Sequence, residues 1–148
     1  MELNSRLRLA LDAWQFNRGR RAYYEYLAAL LRGTAGSRTL KKIFAADAER
    51  YGETSARGRL SRRWMHMFRT AGGDLYATWI DVFPTPELAV LRAAQAQGNI
   101  ALIESLTELA RVLTVIEAGR TILRASLLTA LAALAVLLAA LLALDARV

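Results

Sequence analysis

The chain has 148 residues, with 20 lysines and arginines against 13 acidic residues, a net charge of +7, one histidine and no cysteine. These counts exclude a disulfide-held scaffold and zinc sites built on Cys and His ligands, and the missing cysteine fits a reducing compartment. The acidic residues are scattered singly, and no G-x-x-x-x-G-K-[ST] loop occurs, so neither paired acid–base chemistry nor a phosphate cradle is in sight. No catalytic residue, cofactor or metal is expected.

The first helix is expected over residues 1–17, where Leu3, Leu7, Leu11 and Trp14 form an apolar stripe with Arg6 and Arg8 on the polar side. Glu2, Arg6, Arg8 and Asp12 leave no apolar core for a secretory signal there. Asn17 and Gly19 interrupt this leader. Tyr23, Tyr26, Leu27, Leu30 and Leu31 then mark a second helix that Gly33 ends. Ser37 can cap a third, whose apolar side is Leu40, Ile43, Phe44 and Ala48. Tyr51 to Arg59, with Gly52 and Gly58, reads as a loop. Leu60, Trp64, Met67 and Phe68 share one face of a fourth helix, and His66 reads as a partly buried packing histidine beside that face.

Gly72-Gly73 breaks the chain before a short helical turn through Leu75, Trp79 and Ile80. At Pro84-Thr85-Pro86 another helix starts, with Thr85 as its cap and Glu87 complementing the positive end of the helix dipole. Leu88, Leu91 and Ala94 are its apolar positions. Gly98 stops it, and Asn99 caps a last helix carrying Ile100, Ile103, Leu106, Leu109, Leu113 and Ile116.

That last helix is expected to run on past Gly119 into Ala125–Leu144, ASLLTALAALAVLLAALLAL, which has no charge, proline or glycine. About twenty helical residues span about 30 Å, the hydrocarbon thickness of a bilayer. Ser126 and Thr129, its only polar side chains, can bond back to the preceding turn. Arg111, Arg120 and Arg124 lie on the N-terminal flank, against Asp145 and Arg147 beyond the run, so the positive-inside rule keeps the N-terminal domain in the cytoplasm. The expected architecture is all-α: a leader at 1–17, a compact bundle of about six helices at 18–118, and a juxtamembrane and transmembrane segment at 119–148. Ala135, Ala139 and Ala143 form a small-residue stripe that would let two such helices approach closely.

Three groups of residues resemble motifs of the type II secretion F family, the inner-membrane platform proteins of type II secretion systems and type IV pili. Arg20-Arg21-Ala22-Tyr23-Tyr24 through Leu30-Leu31-Arg32-Gly33 resembles the opening motif. Gly72-Gly73-Asp74-Leu75-Tyr76-Ala77 resembles the family's glycine and short helix. Phe83-Pro84, Glu87, Leu91, Ala93 to Gly98 and the Leu102–Leu106–Leu109 helix resemble its longest signature. Trp64 and Trp79-Ile80 look more like the type IVb pilus branch. The family's usual Gly-Glu pair is Ala94-Gln95 here, which puts any role for a carboxylate there in doubt.

The resemblance implies a non-enzymatic platform in the bacterial inner membrane, at least dimeric, with the cytoplasmic bundle facing a hexameric assembly ATPase and passing its motion to pilin subunits. A membrane-anchored adaptor for an unrelated protein partner is the alternative. The basic clusters Arg18-Arg20-Arg21 and Arg57-Arg59-Arg62-Arg63 are the candidate partner-binding residues, facing anionic lipid or an acidic protein surface. No nucleic-acid module is visible, so nucleic acid is not an expected partner. On this reading Arg59 and Arg62 are rim charges, whose reversal slows association and leaves the fold unchanged.

Overall fold

The computed structural model describes the backbone of residues 2–33 and 39–145 and the side chains of residues 3–33 and 39–136. Seven helices and no strand occur among the described residues: α1 (Glu2–Asn17), α2 (Arg20–Gly33), α3 (Leu40–Tyr51), α4 (Ala56–Thr70), α5 (Leu75–Trp79), α6 (Thr85–Gln97) and α7 (Asn99–Asp145). The chain divides into two units, Met1–Arg111 and Val112–Val148.

In the first unit the core is aromatic. Phe16, Tyr23, Phe44, Trp64, Trp79 and Phe83 are all buried, and their rings meet mostly edge-on or tilted, the arrangement that the ring quadrupole favours. Centroids lie 5.1 Å apart for Phe16–Trp64, 5.9 Å for Phe44–Trp64 and 4.6 Å for Trp79–Phe83. Leu27, Leu31, Leu60, Leu75, Leu88, Leu91, Leu102 and Leu106 fill the space around them.

The loop expected between Tyr51 and Arg59 is much shorter, because α3 runs through Tyr51 and α4 begins at Ala56. Ser55 caps α4 by accepting from the Gly58 N–H at 2.9 Å. Gly58 lies inside that helix, and a Cβ there would sit 1.8 Å from the Gly52 carbonyl oxygen. Its role is close backbone approach between α3 and α4, not a break. Gly72 and Gly73 do form a break, with φ of 63° and 89°.

Caps differ from expectation at three starts. Ser37 lies outside the described residues, and Thr39 caps α3 through Lys42 N–H at 3.5 Å. Thr85 is the first residue of α6, with Pro84 at the cap position and no side-chain cap bond. Asn99 is likewise the first residue of α7, and the Gly98 carbonyl accepts from Leu102 N–H at 3.1 Å. Proline at the cap and second helical position suits α6, since the first amides of a helix have no intrahelical acceptor.

Two apolar stripes fall differently from their sequence pattern. In α7 the buried positions are Leu102, Leu106, Ala110 and Leu113, of which Leu106 and Leu113 belong to the expected stripe, while Ile100 and Ile116 are exposed. In α1 the buried side is Asp12, Ala13 and Phe16, and Leu3, Leu7, Leu11 and Trp14 all face outward. The reason is an ion pair from across the chain. Arg59 of α4 reaches Asp12 at 2.6 Å and turns that side of α1 inward. Asn17 reinforces it, donating to the carbonyls of Ala13 at 2.9 Å and Val82 at 2.6 Å. His66 is exposed, with its ring nitrogen 3.4 Å from Arg69.

In the second unit α7 continues through Gly119 without interruption. Helix α7 is long and apolar enough to cross a membrane, and its side chains from Ala125 to Val136 are exposed. The Thr129 hydroxyl donates to the Ala125 carbonyl at 2.9 Å, which removes its polar cost in hydrocarbon. Ala139 and Ala143 of the small-residue stripe lie outside the described side chains. A central arginine costs about 2.5–3.5 kcal/mol on insertion scales. The double variant Leu131→Arg, Leu134→Arg is therefore expected to leave the membrane fraction after carbonate extraction; retention there would show that this segment is not the anchor.

Candidate functional site

Two side-chain junctions bring together residues from the three motif-like segments. The first is built on Glu87, in the first turn of α6, where the unpaired amides already favour negative charge. Arg20 at the start of α2 donates to both carboxylate oxygens, with Nη2 to Oε1 at 2.9 Å and Nε to Oε2 at 3.1 Å. Tyr24, one turn further along α2, donates its hydroxyl to Oε2 at 2.6 Å. Burial, followed by this bond to Glu87, pushes the Tyr24 hydroxyl far above its ordinary pKa and keeps it a donor. Phe83 stacks on the Tyr24 ring at 5.6 Å, and Pro84 follows it at the cap of α6.

The second junction is Gln95. Its Nε2 donates to the Gly73 carbonyl at 2.6 Å, and its Oε1 accepts from the Leu75 N–H at 3.0 Å. A primary amide serves both backbone groups at once, whereas an ionised carboxylate only accepts. Gln95 therefore locks the start of α5 onto α6 in a way that glutamate could not. Gly73 takes the positive φ that turns its carbonyl toward Gln95. Gly98 ends α6 at φ 111°, its N–H bonded to the Gln95 carbonyl at 3.2 Å. Gly33 closes α2 in an exposed position and belongs to neither junction. Tyr23 is fully in the aromatic core, with its hydroxyl buried and unbonded.

The basic clusters are largely engaged within the domain. Arg20 pairs with Glu87, Arg21 with Glu25, Arg57 with Asp47, Arg59 with Asp12, Arg62 with Glu53 and Arg63 with Asp81, all between 2.6 and 3.1 Å. Arg18 lies over the Trp14 ring at 4.1 Å. The pairs are not equivalent. Arg62–Glu53 is open to solvent, where such a pair contributes little. Arg59 and Arg57 instead neutralise carboxylates that are almost wholly buried. Reversing Arg59 sets a second negative charge against buried Asp12, so it acts on the fold and is not the neutral rim change that the sequence pattern implied.

Asp47 was missing from the candidate residues. It is 1% exposed, accepts from the Tyr26 hydroxyl at 2.5 Å and from Arg57 at 2.8 Å, and the Arg57 guanidinium stacks over Tyr51 at 4.2 Å. The signal was its position: a carboxylate at helical spacing from Ile43, Phe44 and Ala48 lies in the apolar stripe of α3 and must have a partner there. Enclosed by a guanidinium and a phenol, it has no open side for a reactant. Among the described residues no group of His, Cys, Asp or Glu could hold a metal ion.

An open groove of about 1030 Å³ runs along α1 and α4, lined by Leu7, Leu11 and Trp14 together with Arg8, Arg59 and Arg63. Its walls are apolar and cationic, with Asp12 already paired. That arrangement favours a docking surface over a reaction centre.

No family model, curated protein or solved structure matches the chain.

The Gln95 junction is open to direct test. Gln95→Glu keeps the acceptor, loses the donor and turns a carboxylate toward the Gly73 carbonyl, an expected loss of about 1–3 kcal/mol. Denaturant unfolding of the detergent-solubilised chain, followed by tryptophan fluorescence, measures it; an unchanged midpoint would show that the junction carries no stability.

Alkaline pH tests the Asp47 network. Burial, then the hydrogen bond to Asp47, pushes the Tyr26 hydroxyl up to about 12, against about 10 in an unfolded chain. A raised phenol favours the neutral form in the folded state. Its contribution is thus complete below about pH 10 and is lost as pH rises through about 12. The melting temperature should fall over that window, and less steeply in Tyr26→Phe.

Proposed function

We propose that this protein is a non-catalytic platform module of a type IV pilus or type II secretion machine, held in the bacterial inner membrane with its helical domain in the cytoplasm. The supporting observation is the pairwise meeting of the motif-like segments. Arg20 and Tyr24 join Glu87 across more than sixty residues of sequence, and Gln95 joins Gly73 and Leu75. Residues that resemble one family's separate motifs thus form one packed unit, with a helix of membrane-crossing length and apolarity in the same chain. In this reading the junction residues hold the shape of the domain, and its exposed face meets the partners.

The partners are a hexameric assembly ATPase, pilin subunits, other inner-membrane assembly components and a second copy of the chain. Rim charges govern encounter rate and salt sensitivity, whereas buried ones govern lifetime and fold. Arg62 and Arg63, each exposed and held by a surface pair, are the members of the α4 cluster available for such an encounter, and Arg62 is the more open of the two.

A photo-crosslinking amino acid at position 62 of the full chain, in cells that assemble the machine, tests the proposal. The expected product is a covalent adduct with the assembly ATPase. An adduct with an unrelated cytosolic protein would replace the platform reading with a membrane-anchored adaptor. Intact pilus assembly or secretion in cells lacking the chain would overturn the proposal outright.

A further inference from the structure

Helix α1 presents an apolar stripe that the bundle does not use. Leu3, Leu7, Leu11 and Trp14 are 72%, 56%, 65% and 59% exposed, although they recur at helical spacing. On a helical wheel they fall within about 80° of arc, with Arg6 on one edge and Arg8 on the other. Arg18 follows just beyond the helix, its guanidinium stacked over Trp14. The described carboxylate of α1, Asp12, points the opposite way into its pair with Arg59. The outward face is therefore leucine, tryptophan and arginine, and it opens into the groove between α1 and α4.

From this arrangement we infer that α1 lies on an anionic bilayer surface, as an interfacial second contact separate from the span in α7. The inference rests on reading α7 as that span. Leucine and tryptophan enter the boundary between headgroups and acyl chains, while flanking arginines meet lipid phosphates. Tryptophan is enriched at that depth because its ring is apolar and its N–H is polar. Charge decides between occupants. A second copy docked face to face would set Arg6, Arg8 and Arg18 against the same three cations, with no carboxylate among the described side chains of that face to offset them. An anionic leaflet offers the opposite sign over the whole stripe. The opposite side of α1, at Asp12, Ala13 and Phe16, packs into the bundle, so docking α1 orients the first unit against the leaflet.

The chain has no cysteine, so a single Leu7→Cys change gives a unique site for an environment-sensitive fluorophore, with Ala93→Cys on exposed α6 as control. The full chain is reconstituted into phosphatidylcholine vesicles with or without phosphatidylglycerol, the acyl chains brominated as quenchers. Resistance to carbonate extraction is checked first. Quenching at position 7 is expected to exceed that at position 93 by about twofold or more in the anionic vesicles. It should drop to the control level without phosphatidylglycerol and in the triple variant Arg6→Glu, Arg8→Glu, Arg18→Glu. Equal quenching at the two positions in an integrated chain would overturn the inference and leave the span standing. A label shielded from aqueous iodide but not quenched by bromolipid would also overturn it, showing protein on the stripe. A chain stripped by carbonate would overturn the span and this contact together.

Discussion

The packing of aromatic rings around Trp64 is the interaction on which the first unit depends, because it gathers one ring from each of five helices and from the turn before α6. Phe16 of α1, Tyr23 of α2, Phe44 of α3, Trp79 of α5 and Phe83 all lie within 6.0 Å of the Trp64 ring, centroid to centroid. Each aromatic pair contributes about 0.5–1.5 kcal/mol beyond its buried area. A domain of this size has a net stability of only about 5–15 kcal/mol, so five such contacts on one side chain are a large share. The short helix α5 makes sense in this light. It delivers Trp79 to the cluster and needs Gly72, Gly73 and Asp74 to turn the chain sharply enough to do so.

Around that cluster, electrostatics settle how the helices are oriented. Glu87, Asp47 and Asp12 are three carboxylates on three helices, each held by an arginine from another segment. A carboxylate withdrawn from water must be paired and hydrogen-bonded, so each pair imposes one relation between segments: α2 to α6, α3 to α4 and α1 to α4. Three of the chain's arginines are thus engaged inside the fold. These three arginines form a structural set, distinct from exposed cations such as Arg6, Arg8, Arg62 and Arg63 that are open to partners.

The same division bears on function. The motif-like residues act as internal joints, and the surfaces that could meet a membrane or another protein lie elsewhere, along α1 and the outer side of α4. A scaffold is well served by this arrangement, because its joints can be rigid and fully paired while its contacts stay polar, exposed and reversible. Helix α7, apolar enough to cross a membrane, and the leucine–tryptophan face of α1 are each suited to a lipid environment.

The number of helices, the breaks at Gly72-Gly73 and Gly98 and the apolar run at the C-terminal end were legible in the sequence, because each depends on local spacing or composition. Helical periodicity needs only neighbours three and four residues away. A membrane-length segment needs only length and the absence of charge. The tertiary structure alone decided which side of α1 is buried, since the leucine stripe and the Asp12–Phe16 side are both helical patterns and the choice is made by Arg59, forty-seven residues away. It also decided the role of Gly58, whose missing side chain matters only because the Gly52 carbonyl comes so near. Gln95 looked like the loss of a carboxylate and proved to be a two-sided link between Gly73 and Leu75. In each case the deciding partner is distant in sequence, and burial couples the two only once the chain has folded.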